Sequence, residues 1–250
     1  MSFSVRSGFR DIATMHSTPR VDPAAPARPL TPVPAPPRPD FSAAAPPRHA
    51  AHHPHTDSFR EIRTRLLALA EGSSFVTLVV PVSAGSGGSF VARNLAMAFA
   101  SDEAKSALLI DCSLPRPSQH VAFGIDAVRG GLIDHLERPG REAHHIFYDT
   151  GVPRVRLVPA GKAREPGVEY FSTYRMRALI DSMRSAHSDR YVVIDGPALR
   201  GSPDARILAD LADFVVVVAA YGRDPAERIS QSVAGLDPKK IAGVVFNCPP

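Results

Sequence analysis

Three short segments carry residues whose types and spacing suit phosphate chemistry. Residues 82–89 read Val-Ser-Ala-Gly-Ser-Gly-Gly-Ser. Glycines at this density let successive backbone amides converge on one anion, above all where the loop runs into a helix N-terminus. Gly85, Ser86, Gly87, Gly88 and Ser89 are therefore the candidate phosphate-binding residues. Asp111 closes the apolar run ALLID, and Asp195 closes YVVID. Carboxylates at strand ends beside such a loop are where a magnesium ion bridging to phosphate is held, with the Ser89 hydroxyl as a further donor. Either aspartate alone could equally cap the element that follows it. Together, and in this order, the three segments point to a nucleotide, ATP or ADP, with magnesium.

The loop lacks its cation. A P-loop carries a lysine between its last glycine and the hydroxyl residue, and Gly88 stands there instead, with Val82 in place of the first glycine. The chain has four lysines, Lys105, Lys162, Lys239 and Lys240, none of them near the loop. Arg93, one turn into the following helix, is expected to lie along the helix flank and not in the cradle. Losing one electrostatic contact to a transferring phosphoryl group costs roughly 10²–10³ in rate. Nucleotide binding is thus expected to be weakened.

The elements that must position these residues alternate. Residues 75–81, 107–111, 155–158, 191–195, 214–220 and 241–246 are continuous apolar runs of strand length, which marks strands covered on both faces. Helical stretches are expected from Thr56 or Asp57 to Ala70, at 89–100, and over 171–186, 204–211 and 226–236. The fold class is α/β: a doubly wound, mostly parallel sheet with helices on both faces.

Residues 1–55 differ. They hold 12 of the 25 prolines and six arginines against three aspartates. Proline at this density blocks both helix and sheet, so a disordered Pro/Ala/Arg-rich tail is expected, with the α/β domain over 56–250. Of the net charge of +4, most sits on that tail, which argues against a nucleic-acid-binding face on the fold. His49, His52, His53 and His55 have no carboxylate or cysteine at ligand spacing and read as solvated. Two isolated cysteines, Cys112 and Cys248, suit neither a disulfide framework nor zinc. Without a run of about 18 apolar residues or a signal-like N-terminus, a cytoplasmic location is expected.

The stretch IDCSLPRPSQHVAFGI followed by GGLIDHL resembles the pattern I-D-A-D-L-R-R-P-x-x-H-x-x-F-G, then G-L-x-x-x-L, of bacterial tyrosine autokinases (BY-kinases). Those proteins work with polysaccharide chain-length regulators in capsule and exopolysaccharide export, and share a deviant P-loop class with MinD and ParA. LVPAG, VVIDGPA and GVVFN fit the same family, and the resemblance covers about residues 57–247. SFREIRTRL resembles the family's E-x-x-R-x-x-R helix, which packs on the neighbouring subunit of ring-shaped oligomers. Asp57, Arg60 and Arg63 fall on those positions. Taken alone, this is also what an amphipathic surface helix with solvated arginines looks like.

The departures fall on chemistry. Against the family's P-G-E-G-K-S, this loop reads Ala84-Gly85-Ser86-Gly87-Gly88-Ser89; Ser113 stands for the second aspartate of D-x-D, and Pro115 for the arginine after it. The family's acceptors are a C-terminal tyrosine cluster, whereas Tyr148, Tyr170, Tyr174, Tyr191 and Tyr221 are scattered. The resemblance therefore implies a pseudokinase: a non-catalytic component of exopolysaccharide export (capsule, slime or holdfast type). It would dock on a membrane co-polymerase as a homo- or hetero-oligomer, peripheral at the inner membrane. The alternative is an active autokinase or ATPase with a lysine-less loop. A MinD- or ParA-like positioning ATPase fits less well, because that loop carries two lysines.

Overall fold

The computed structural model describes residues 54–71, 73–138, 142–162, 168–185 and 187–248. The expected Pro-rich tail lies almost wholly outside them. Helix α1 (Pro54–Leu69) opens the described chain and has Asp57 in its first turn. Strand β1 (Val76–Pro81) leads through the Gly/Ser loop into α2 (Gly88–Phe99), followed by β2 (Ser106–Asp111). Next come α3 (Gln119–Ala122), α4 (Leu132–Glu137), a two-residue strand β3 (Tyr148–Asp149) and β4 (Val155–Val158). Then α5 (Val168–Phe171), α6 (Tyr174–Ser185), β5 (Arg190–Asp195), α7 (Asp204–Leu211), β6 (Phe214–Ala220), α8 (Ala226–Val233) and β7 (Ile241–Asn247) complete it.

The seven strands form one sheet in the order β3-β4-β2-β5-β1-β6-β7. All neighbours are parallel except β3 and β4, so the doubly wound α/β expectation holds. Successive strand residues point to opposite faces, and both faces are packed. Leu78, Val80, Leu108, Ile110, Val192 and Ile194 meet the side formed by α4, α6 and α7, with Leu132, Met176, Leu179 and Leu208. Val79, Leu109, Val193, Val216 and Val218 meet α1 and α2 on the other side, against Leu66, Val91, Leu95 and Phe99. Burying both faces is what makes the strands read as unbroken apolar runs.

The structure differs from the sequence reading at three places. The helix expected over 171–186 is broken, because the Thr173 hydroxyl accepts the Met176 amide and starts α6 afresh. The last helix stops at Val233 instead of 236. The edge strand β3 was invisible at two residues. It is held by pairing of Tyr148 with Leu157 and by the Tyr148 hydroxyl, which takes the Arg129 amide and donates to the Gly130 carbonyl.

Candidate functional site

Sheet register brings the two aspartates together. Asp111 and Asp195 are direct partners at the ends of adjacent parallel strands, and Asp195 also pairs across to Val79 of β1. The loop after β1 consequently lies beside both carboxylates, as expected. Both are fully buried. Their surroundings set them apart.

Asp111 is committed to its own loop. Oδ1 accepts the Ser113 amide at 3.1 Å, and Oδ2 accepts the amides of Ser118 and Gln119 at 3.0 Å each. Burial raises its pKa even so, with these donors and His120 working in the opposite direction. Asp195 has fewer partners. Its Oδ2 accepts the Gln119 Nε2 at 2.7 Å, while Oδ1 is buried without a hydrogen-bond partner. Burial, and then the Asp111 charge, push its carboxyl up to about 7, opposed by Gln119, Ser89 and Arg93. The orphaned oxygen, on a carboxylate that the Ser89 hydroxyl also faces, fits a hydrated magnesium ion shared with phosphate. Asp111 keeps a lone pair on Oδ1 beyond the Ser113 amide, so it too could serve such an ion.

The Gly/Ser loop is shaped for close backbone approach. Gly87 caps α2 in the left-handed region (φ 92°), where any Cβ would strike the Asn247 side chain. That side chain donates from Nδ2 to the Ser86 carbonyl at 3.0 Å. Gly88 stands where a lysine would project, and a Cβ built on it would lie 2.7 Å from Cδ and 3.0 Å from Cγ of Pro81. The last residue of β1 thus fills the space from which a lysine stem would leave.

Four residues that the sequence reading did not assign complete the site. Gln119, fully buried, donates from Nε2 to the Ser89 carbonyl at 2.9 Å as well as to Asp195. Its Oε1 accepts Arg93 Nη1 at 3.3 Å. Arg93 is thus tied to Gln119. It sits one turn below Ser89 on the same helix face, half-buried, with burial lowering its pKa and Asp195 raising it. Asp224, just past β6, accepts the Ser83 hydroxyl at 2.9 Å, the Ser86 hydroxyl at 2.8 Å and the Ala220 amide at 2.9 Å. Arg223 reaches the same loop, with Nη2 on the Ser86 hydroxyl at 3.2 Å and on the Ala84 carbonyl at 3.3 Å. No spacing rule flags these residues, because each acts from a loop or helix distant in sequence.

On α1, Arg60 pairs with Asp57 at 3.1 Å and both are about half exposed. Arg63 turns the other way, donating from Nη1 to the Ala98 carbonyl at 3.0 Å and the Ser101 hydroxyl at 2.7 Å at the end of α2. Ser113, in place of the second aspartate, is half-buried beside Asp111. Among the described residues no cluster of three or more His, Cys, Asp or Glu could hold a metal, and no helix is long and apolar enough to cross a membrane.

No family model matches the chain. Wzc of Salmonella typhimurium, a tyrosine-protein kinase, is 30% identical over 196 residues, which cover 76% of this chain and 26% of Wzc. YwqD of Bacillus subtilis, also a tyrosine-protein kinase, is 26% identical over 195 residues, covering 77% of this chain and 80% of YwqD. ExoP of Rhizobium meliloti, a succinoglycan biosynthesis transport protein, is 30% identical over 185 residues, 72% of this chain and 23% of ExoP. The chain thus spans about a quarter of the length of Wzc and ExoP. Among solved structures, the kinase domain of the Escherichia coli tyrosine kinase ETK superposes with a TM-score of 0.70 at 23% identity, covering 77% of this chain and 75% of that one. MinD of Pyrococcus horikoshii, complexed with Mg-ADP, superposes with a TM-score of 0.56 at 19% identity, over 71% and 74% of the two chains.

Proposed function

The chain is a relative of the bacterial tyrosine kinases of the Wzc and YwqD kind on a MinD-like P-loop fold, and from that premise we propose that it is a kinase-like, non-catalytic component of exopolysaccharide or capsule export. Packing at Gly88 carries this reading. The lysine that neutralises β/γ-phosphate charge in a P-loop is absent, and the Pro81 ring stands in its path. Ser113 in place of the family's second aspartate takes away a further group that phosphoryl transfer needs. Fold, loop shape and the strand-end aspartates persist, while the lysine and the second aspartate do not. Such a protein binds ATP or ADP weakly at Gly85–Ser89, with Ser89, Asp111 and Asp195 as the donors to any magnesium that accompanies it.

Its partner is a membrane co-polymerase or chain-length regulator, which would hold the chain at the cytoplasmic face of the inner membrane. Contact with that partner or with a second copy is assigned to the outward pair Asp57 and Arg60, with Arg63 bracing the helix from behind. The test is co-purification of the tagged chain with a polysaccharide co-polymerase from solubilised membranes. Loss of that association with Arg60→Ala supports the docking surface, and no association in the wild type removes it.

A second reading, an active autokinase with a lysine-less loop, is favoured by one observation. The Asp195 carboxylate has a free oxygen and faces the Ser89 hydroxyl and Arg93, with Arg223 as a cation on the loop.

A further inference from the structure

Two buried carboxylates at the ends of β2 and β5 are normally tolerable next to phosphate only when a cation lies between them and the ligand. Here the protein already places a cation chain at that point. Arg93 donates to Gln119 Oε1 at 3.3 Å, and Gln119 Nε2 donates to Asp195 Oδ2 at 2.7 Å. The same Nε2 donates to the Ser89 carbonyl at 2.9 Å, so both protons of the amide are used and its orientation is fixed. Gln119 has no exposed surface, and Arg93 is half-buried. Across the loop, Arg223 adds a second guanidinium against Ala84 and Ser86. Arg93 is thus the cation that faces Asp195, while Arg223 faces Asp224.

We propose that Arg93 and Gln119 form a resident counterion for Asp195, so that the loop takes the diphosphate tail of a nucleotide without needing a divalent cation. Gln119 is the residue in contact with Asp195, and Arg93 positions and polarises it. Backbone amides of residues 85–89 supply the remaining donors to the anion. This rests on reading the loop as a nucleotide site, and is independent of whether phosphoryl transfer follows.

The test is titration of the purified chain with ADP by calorimetry, once in excess EDTA and once in excess magnesium. The two dissociation constants are expected to agree within about threefold, since the protein supplies the charge that the metal otherwise brings. Gln119→Glu adds a carboxylate in place of the amide, and should make ADP binding magnesium-dependent by about tenfold or more. Arg93→Met should do the same, and Arg93→Lys should restore the wild-type ratio. Wild-type ADP binding tightened tenfold or more by magnesium overturns the proposal, and so does failure to bind ADP in either buffer. Phosphotyrosine formed in a parallel incubation with Mg-ATP would overturn the non-catalytic reading alone, leaving the EDTA-to-magnesium ratio to decide the counterion.

Discussion

Pro81 and Gly88 are packed so closely that a Cβ on Gly88 would lie 2.7 Å from the proline Cδ. One residue ends β1 and the other begins α2, and between them they close the exit that a P-loop lysine needs. The glycine is therefore more than a missing charge; it is a packing requirement of the proline. Gly88→Lys alone should leave ADP affinity unchanged and destabilise the fold by about 1–3 kcal/mol through overpacking. Combined with Pro81→Ala, which deletes Cγ and Cδ, the lysine should fit, with stability recovered and ADP binding strengthened about tenfold. Denaturant unfolding and calorimetric titration of the three variants check both halves.

Asp195 gives the fold a pH signature. Its carboxyl is raised to about 7 by burial and by Asp111, against roughly 3.9 in an unfolded chain. The folded protein thus retains a proton that the unfolded chain has released. Asp195 contributes its full stability below pH ~4 and loses it as pH rises through the folded value. Asp195→Asn keeps an acceptor for Gln119 and removes that loss. The variant should gain on the wild type by about 1–3 kcal/mol between pH 4 and 8, read from urea midpoints at each pH.

Asp224 behaves in the opposite sense. Burial raises its pKa, but the Ala220 amide, the Ser86 and Ser83 hydroxyls and Arg223 outweigh this and hold the carboxyl below its ordinary value. Its contribution is present above the unfolded pKa of about 3.9 and is lost as pH falls through the lower folded value. Asp224→Ala strands two hydroxyls and an amide, and should cost about 2–4 kcal/mol at pH 7. The gap to wild type should narrow below pH 4, and hydrogen exchange should show Ser83–Gly87 released.

Arg60 and Arg63 should separate by assay. Arg63→Ala removes the contacts to Ala98 and Ser101, and is expected to lower stability by about 1–2 kcal/mol. Arg60→Ala breaks only an exposed pair, should change stability by less than about 0.5 kcal/mol, and should weaken self-association in light scattering.

The sheet, the Gly/Ser loop between strand and helix, and the strand-end aspartates were legible because buried parallel strands read as apolar runs and glycines mark the tight loop between them. Register alone then places Asp111 beside Asp195. Gln119, Arg93, Arg223 and Asp224 were not legible. Each acquires its role through a tertiary contact, and a polar residue in a loop has no period to betray it. The break before α6 turned on a single Thr173 hydroxyl, which competes with helix propagation only once the surrounding fold orients it.

The claim that the chain has kept the fold and lost the chemistry is tested most directly by incubating the purified protein with Mg-ATP and probing for phosphotyrosine. No phosphotyrosine should form in the wild type, even at protein concentrations where it self-associates. Time-dependent phosphotyrosine that disappears with Ser89→Ala and Asp195→Asn would contradict it and establish an active kinase with a lysine-less loop.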